Sequence, residues 1–583
     1  MMESSSRCRK KDDAEKARKK ALRQVHKIEK GLPAGRHGAR NEKRAAVFVR
    51  WLVETYGLER LRRSGVVDVA GGKGEIAARL AHCHGVRCLV MDPRTGSVEE
   101  TFLKKVAPRL PGKWRESIEK AGNKSDRIRS LVKVVRREFD DSFMVSEILK
   151  ETRFLAAVFV GMHADGATEA IVDFALKNDR SFAVVPCCVF AKRQQKFLPG
   201  MKPMTYEQFA EALVEKNNFL IRKKILNFDG RNECIFSILP ESLSPAEAME
   251  FNEPLLLRNY VQSWPAIQKW TDNGRLNRRK MATCFPAEKA PVYNNDKSTL
   301  WKVSDFLLDD DQWQSLSYLK DWHLDSNDFS TPPDFDRDWL GAWCEAVGKE
   351  AFTFCYVGPR NSSTPEHSDV LASFSWSANV AGTKRWRLQR AHSQTEFSKD
   401  ETLMTIEQRQ GDLVFVPSDW RHDVVNADHC VSINRNWFNS YSIERVALYI
   451  DERRKAVIQE LDSWGELSPS SSEKKMWTIE NVLSIDARLN FSNFLALIHY
   501  NSHEDTRHAD RILALCDGLL QERLDENSLF LSSSTKAPLV VFPTDDAPDS
   551  WSFDARNCAG NILHETRQRA AASSLLLHEK KNE

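Results

Sequence analysis

Near residue 240 the chain changes texture, and no single layered fold accommodates what stands on both sides. Before that point, short apolar runs alternate with amphipathic ones. Residues 45–60, AAVFVRWLVETYGLER, return apolar side chains every three or four positions, as a helix does. VVDVA (66–70) is then a short apolar strand, GGKGE a glycine-rich turn, IAARLAHCH a helix and RCLVMD (87–92) a second strand. LAAVFVGM (155–162) and FAVVPCCVF (182–190) read as further buried strands, and KKILNFDGRNECIFSIL (223–239) as a hairpin turning at Asp229-Gly230. Strands alternating with helices predict an open, Rossmann-like α/β sheet covered on both faces.

After residue 240, short β-type runs follow one another across turns: FTFCYVG (352–358), VLASFSWSANV (370–380), KRWRL (384–388), LVFVP (413–417) and HCVSINRNWF (429–438). Thirteen of the 16 tryptophans lie between Trp264 and Trp477, so this region packs differently from the first. The pattern predicts an antiparallel barrel or jelly roll. Helical periodicity returns after about 441 in RVALYIDERRKAVIQELDSW and SNFLALIHY, around a Ser-rich loop at 468–475. With 583 residues, more than one core is required. The expected division is a basic arm (1–44), an α/β domain (45–240), a β-barrel domain (241–445), a helical extension (446–530) and a weakly structured tail (531–583).

Charge and cysteine usage narrow the function classes. Residues 1–44 hold 15 Lys and Arg against six Asp and Glu, while the whole chain is only +3, so the remainder is net negative. The arm reads either as a solvated tail or as a contact for RNA or nuclear import. The 12 cysteines include no C-x-x-C, which speaks against zinc fingers and suits reduced thiols in cytoplasm or nucleus. No secretory leader and no membrane span of about 18–20 apolar residues is expected.

His367-Ser368-Asp369 puts two ligand types on one side of an extended segment, because residues i and i+2 share a face. His422 follows GDLVFVPSDWR, a strand running into a turn. Two His and one carboxylate cover one face of an iron ion and leave three positions open, two for a chelating 2-oxo acid and one for O₂. Lys384, beyond a Gly382-Thr383 turn, would be returned beside the metal by a hairpin, where it can pair with the distal carboxylate of 2-oxoglutarate. Thr364 and Tyr356 add hydroxyls for the same carboxylate.

The run YVGPRNSSTPEHSDVLASFSWSANVAGTKRW, followed by GDLVFVPSDWRHDVVN and SINRNWFN, resembles the JmjC oxygenases over roughly residues 250–530. It is most similar to the branch of Jumonji domain-containing protein 4, lysyl hydroxylases acting on the translation termination factor. The resemblance implies a double-stranded β-helix, a jelly roll of cupin type, with a helical C-terminal extension. It implies Fe(II) on His367, Asp369 and His422, and 2-oxoglutarate on Lys384, Thr364 and Tyr356, with Asn434 or Asn436 assisting. Ser377 stands where some relatives have Asn. Trp376, Trp386, Trp420 and Trp437 read as packing in a tryptophan-rich barrel, with a substrate cage as the sharper alternative.

In the first domain, Gly71, Gly72 and Gly74 follow the strand carrying Asp68, and Asp92 ends the next strand. Glycines there admit a ligand close to a helix start, and a carboxylate about 20 residues on can bind ribose hydroxyls. The D-x-A-G-G-x-G spacing resembles S-adenosylmethionine-binding loops, and GMHADGATEAIVDFAL and FAVVPCCVF are similar to a methyltransferase-like group, some members of which have RNA links. His163, Asp165 and Cys187-Cys188 fall at strand ends where such folds bind ligands, though a cysteine pair also reads as inert packing. There is no N/D-P-P-Y motif. The expectation is hydroxylation of a lysine in a translation factor. Its rivals are lysine demethylation, RNA or protein methylation with the barrel as an accessory, and a two-headed enzyme.

Overall fold

The computed structural model describes residues 43–109, 126–139, 148–149, 154–186, 205–294, 297–390, 402–464 and scattered positions from 478 to 501. The arm up to residue 42, Cys187-Cys188, the loop at 468–475 and the tail at 531–583 lie outside the described residues. The chain divides into two compact units, Met1–Ser237 and Ile238–Glu583. Among the described residues, no helix is long and apolar enough to cross a membrane.

In the first unit, helix α1 (Arg44–Tyr56) ends four residues before the expected limit, because Gly57 takes φ +80. Its Tyr56 hydroxyl donates to the carbonyls of Phe182 (2.8 Å) and Ser237 (3.0 Å), tying the helix to the sheet. That sheet has seven strands: β1 (Val66–Val69), β2 (Cys88–Met91), β3 (Val132–Val135), β4 (Val158–Met162), β5 (Phe182–Val185), β6 (Arg222–Ile225) and β7 (Glu233–Ser237). Their order is β3-β2-β1-β4-β5-β7-β6. The first five run parallel, and β7 joins β5 antiparallel as the second arm of the hairpin with β6. β1, β2 and β5 are buried along their whole length, which explains their unbroken apolar runs. Helix α2 (Glu75–His84) follows β1 across the glycine loop, and α3 (Thr168–Lys177) follows β4.

The second unit holds β8 (Leu255–Leu257), a ribbon of β9 (Thr271–Asp272) and β10 (Arg275–Leu276), then β11 (Lys289–Asn294), β12 (Lys297–Lys302), β13 (Tyr318–His323), β14 (Thr353–Gly358) and β15 (Ser363–His367). It continues with β16 (Phe374–Ala381), β17 (Lys384–Arg390), β18 (Met404–Gln408), β19 (Leu413–Val416), β20 (Trp420–Asn426) and β21 (Cys430–Trp437). Eight of these form one sheet in the order β12-β11-β13-β14-β21-β16-β19-β8, and four form another in the order β15-β20-β17-β18. Pairing is antiparallel throughout. The arrangement is mixed α/β, with antiparallel strands consistent with a jelly roll.

Alternation decides the two faces of the larger sheet. Trp376, Ala378, Val380, Ile433 and Trp437 enter an apolar core that also holds Phe374 and Phe415. Ser377 faces Asn434, and Asn379 faces Ser432, across β16 and β21 on the opposite, polar face. Lys384 reaches Tyr318 from the smaller sheet, and Asp369, just past β15, reaches Ser375 and Asn436. These bonds join the two sheets across a polar interior. Helix α4 (Trp339–Ala346) and helix α5 (Ile443–Ser463) form a separate cluster through Trp339, Leu340, Trp343, Val446 and Ile450.

One expectation is corrected. β16 and β17 do not form a hairpin: they belong to different sheets, and the chain turns the corner at Gly382, where φ is +74 and a Cβ would stand 2.4 Å from the His429 carbonyl oxygen. The strand running into a turn before His422 is present: β19 ends at Val416, the turn follows with Asp419 at φ +61, and β20 then begins at Trp420 and carries His422 inside it.

Candidate metal centre

Register builds the centre. On the smaller sheet His367 stands opposite His422, Leu388 opposite His422, Trp386 opposite Val424, and Lys384 opposite Asn426. Directly opposed residues share a face, so both imidazoles and the Lys384 ammonium project to the same side. Asp369 follows two residues after His367, in extended backbone with ψ 149. One ligand atom from each of His367, Asp369 and His422 lies within 4.8 Å of the others.

Each ligand is oriented by a second contact. His367 Nδ1 is 2.9 Å from the Pro365 carbonyl, and His422 Nδ1 is 3.1 Å from that of Trp420. A carbonyl can only accept, so Nδ1 carries the proton in both rings and each Nε2 keeps its lone pair. Asp369 Oδ2 accepts from the Ser375 hydroxyl (2.7 Å), and Oδ1 accepts from the Asn436 amide (2.9 Å). His422 is only 3% exposed. Burial lowers its pKa, against the pull of Asp369 and with help from His367, which keeps the imidazole neutral and able to bind a metal. The donor set therefore fits a divalent ion, with the outer contacts such sites need.

Lys384 is 2% exposed, and its Nζ donates to Tyr318 Oη (3.1 Å) and Asn426 Oδ1 (3.0 Å). Both partners are neutral, and among the described residues no carboxylate forms an ion pair with it. A buried ammonium without a counter-charge is costly and calls for an anion. Asn426 lies four residues along β20 from His422, about 13 Å at roughly 3.3 Å per residue. Lys384 is thus at the far end of the interior, not beside the imidazoles as a hairpin would put it. A lysine side chain and a five-carbon dicarboxylate together fill such a span. Ser377 Oγ, Ser432 Oγ and Asn434 Oδ1 line the interior without a hydrogen-bond partner among the described residues.

Thr364 lies on β15 opposite Val424, one inward position from His422. Tyr356 does not turn its hydroxyl to Lys384; it donates to Asp321 (3.3 Å), and Tyr318 occupies the position at the ammonium. Asn436 holds Asp369, whereas Asn434 stands opposite Ser377. Tyr318 and Asn426 were missed by the sequence reading: they are 66 and 42 residues from Lys384, and only the strand register brings them to it. Trp376 and Trp437 are core, as packing predicts, and Trp386 packs its ring on His422 at 5.7 Å.

In the first unit the strand order reverses at β1, which lies between β2 and β4, and the glycine loop leaves β1 at that point. Gly72 and Gly74 take φ +57 and +71, and a Cβ on Gly71 would stand 2.6 Å from Asp68 Oδ2. Asp92 accepts the Gly72 N–H (3.0 Å) and the Arg94 N–H (2.7 Å), one on each carboxylate oxygen, and so ties the glycine loop to the end of β2. Asp68 is 1% exposed, and neither oxygen makes a hydrogen bond of ordinary geometry. Its pKa is pushed up to about 7 by burial, against the Ala77 N–H, with Asp92 adding to the rise. His163, at φ +56, directly follows β4.

Comparison with known proteins bears on the second unit. A family profile described as "JmjC domain, hydroxylase" matches residues 392–437. The chain is 30% identical over 303 residues to the 2-oxoglutarate and iron-dependent oxygenase JMJD4 of Mus musculus, covering 44% of this chain and 68% of that protein. It is 26% identical over 324 residues to the JMJD4 of Danio rerio, covering 47% of this chain and 76% of the relative. It is also 30% identical to the arginine-specific demethylase JMJ20 of Arabidopsis thaliana, over 33% of this chain and 54% of that one.

Proposed function

Because this chain belongs to the JMJD4 family of 2-oxoglutarate and iron-dependent oxygenases, we propose that it hydroxylates a protein side chain, using Fe(II) and 2-oxoglutarate. The observation that carries the reading is the convergence of His367, Asp369 and His422, with a buried, charge-unpaired Lys384 on the same face. His367 and His422 would hold the metal through Nε2 and Asp369 through one oxygen, leaving three adjacent positions open. When bound, Fe(II) and the 2-oxo acid would activate O₂, the oxidant that an unactivated C–H bond requires, with the 2-oxo acid oxidised to succinate and CO₂ as one oxygen atom goes to the substrate. Ser375 and Asn436 fix the Asp369 carboxylate, and Lys384, with Tyr318 beside it, takes the distal carboxylate of the cosubstrate. The substrate we favour is a lysine of a translation factor, the termination factor first. The net negative charge beyond the basic arm favours a basic segment.

Removing the metal should abolish 2-oxoglutarate turnover, and so should His367→Ala. A His367→Ala protein that decarboxylates 2-oxoglutarate at the normal rate would refute the assignment. Demethylation would use the same residues, and the name of the Arabidopsis relative carries that alternative. Formaldehyde release from a methylated peptide separates it from hydroxylation. The intact metal set argues against a barrel that merely accompanies methylation. For the first unit we propose S-adenosylmethionine or its demethylated product as ligand, supported by the glycine loop at the strand-order reversal and by the unsatisfied Asp68. Calorimetry with both compounds tests this. No binding, or binding unchanged in Gly72→Val, would rule it out.

A further inference from the structure

β13 and β14 lose register between the pairs Leu319–Val357 and Trp322–Cys355. Two residues, Lys320 and Asp321, therefore stand against Tyr356 alone. Bulges of this kind recur next to active sites, where they re-aim a side chain. Asp321 takes φ +56, in the left-handed region that Asp enters more readily than most side chains. Its carboxylate accepts hydrogen bonds from Tyr293 (2.9 Å) and Tyr356 (3.3 Å).

Register shows which space this group borders. Tyr293 stands opposite Tyr318, whose hydroxyl meets Lys384, and Tyr356 stands opposite Ser432 of the polar interior. The Tyr318 and Tyr356 rings meet edge to face at 6.1 Å. Burial first, then the charges of Asp321, Tyr318 and the metal ligand Asp369, hold Tyr356 well above the usual tyrosine pKa. It is therefore a neutral donor between two carboxylates, one in the metal set and one in the bulge. Asp321 itself is exposed. Two hydrogen bonds occupy two of its roughly four acceptor positions, leaving the others for a further donor. The nearby Lys320 lies over the Tyr293 ring, 4.7 Å from its centre, and over Tyr318 at 5.7 Å. Among the described residues, no ion pair closes on Asp321.

We propose that Asp321, framed by Tyr293 and Tyr356, receives the cationic end of the substrate side chain, of lysine or arginine class, and so determines which side chain reaches the metal. A carboxylate gives a charge-assisted hydrogen bond to an ammonium or guanidinium, and tyrosine faces add attraction for the same cation. The proposal rests on the iron and 2-oxoglutarate reading above, and it takes Tyr356 from the cosubstrate side to the substrate side.

The test uses the full chain with Fe(II), 2-oxoglutarate and random-sequence peptides carrying a fixed central Lys, Arg or norleucine. Oxygen addition is read by mass spectrometry, and succinate release is read in parallel without peptide. The wild type should modify Lys or Arg peptides at least about tenfold better than norleucine peptides, the scale of one charge-assisted contact. Asp321→Asn and Asp321→Ala should lose that preference while keeping the peptide-free succinate release, which also shows that they fold. Asp321→Glu should restore part of it. Retention of the cationic preference in Asp321→Asn, or equal use of norleucine by the wild type, overturns the proposal. Absence of succinate release in the wild type would remove the cofactor reading itself, and the proposal with it.

Discussion

At the scale of single residues, the centre depends on individual charges and hydrogen bonds. Lys384→Ala takes away the ammonium that bonds Asn426 in the interior, so the 2-oxoglutarate requirement should rise at least tenfold, equivalent to about 1.4 kcal/mol. An unchanged KM for 2-oxoglutarate would place the anchor elsewhere. Asn436→Ala leaves the three ligands in place and removes one of the two bonds that orient Asp369. Fe(II) affinity should fall by about 10–100-fold, as for other outer-contact losses, measured by metal titration without turnover. His367, Asp369, His422 and Lys384 could be picked out from the sequence because ligand chemistry and spacing mark them. Tyr318 and Asp321 could not: a tyrosine and an aspartate in YLKDWH carry no local sign of which face they take, and the bulge that turns Asp321 is set by pairing with β14.

At the scale of elements, the apolar runs of β1, β2 and β5 and the alternating runs of β16 and β21 were legible, because burial on both faces or on one writes itself into the residues. β12 was not: KSTLWK is an exposed edge strand, formed only because β11 pairs with it. β15 was legible only at its His367 end, through ligand spacing; STPEH carries a proline and no apolar alternation, and its start is set by pairing with β20. The sheet corner at Gly382 carries a testable cost. Gly382→Ala forces a Cβ toward the His429 carbonyl at positive φ, so the second unit should lose more than about 1 kcal/mol and unfold several degrees lower. In β1, Asp68 has a folded pKa of about 7 against about 3.8 unfolded. The native state therefore holds the extra proton between those values, and stability is lost as pH rises through that window. Hydrogen exchange over 66–92 should quicken from pH 5 to pH 8 beyond its intrinsic pH dependence, and Asp68→Asn should remove that excess.

At the scale of the whole molecule, two units of different architecture share one chain, split between Ser237 and Ile238. The α/β unit offers a glycine loop with a buried carboxylate; the jelly-roll unit offers two imidazoles, a carboxylate and a buried ammonium. Family membership reaches the second unit's chemistry, and its residue pattern made that half the more readable of the two. The most direct measurement incubates the full chain with Fe(II), 2-oxoglutarate, ¹⁸O₂ and the translation termination factor, and reads the factor by tandem mass spectrometry. The expected result is one ¹⁸O atom retained on a lysine side-chain carbon, matched by succinate and absent with His367→Ala. Formaldehyde release from methylated peptides with the factor unmodified, or succinate formation equal in wild type and His367→Ala, would contradict it.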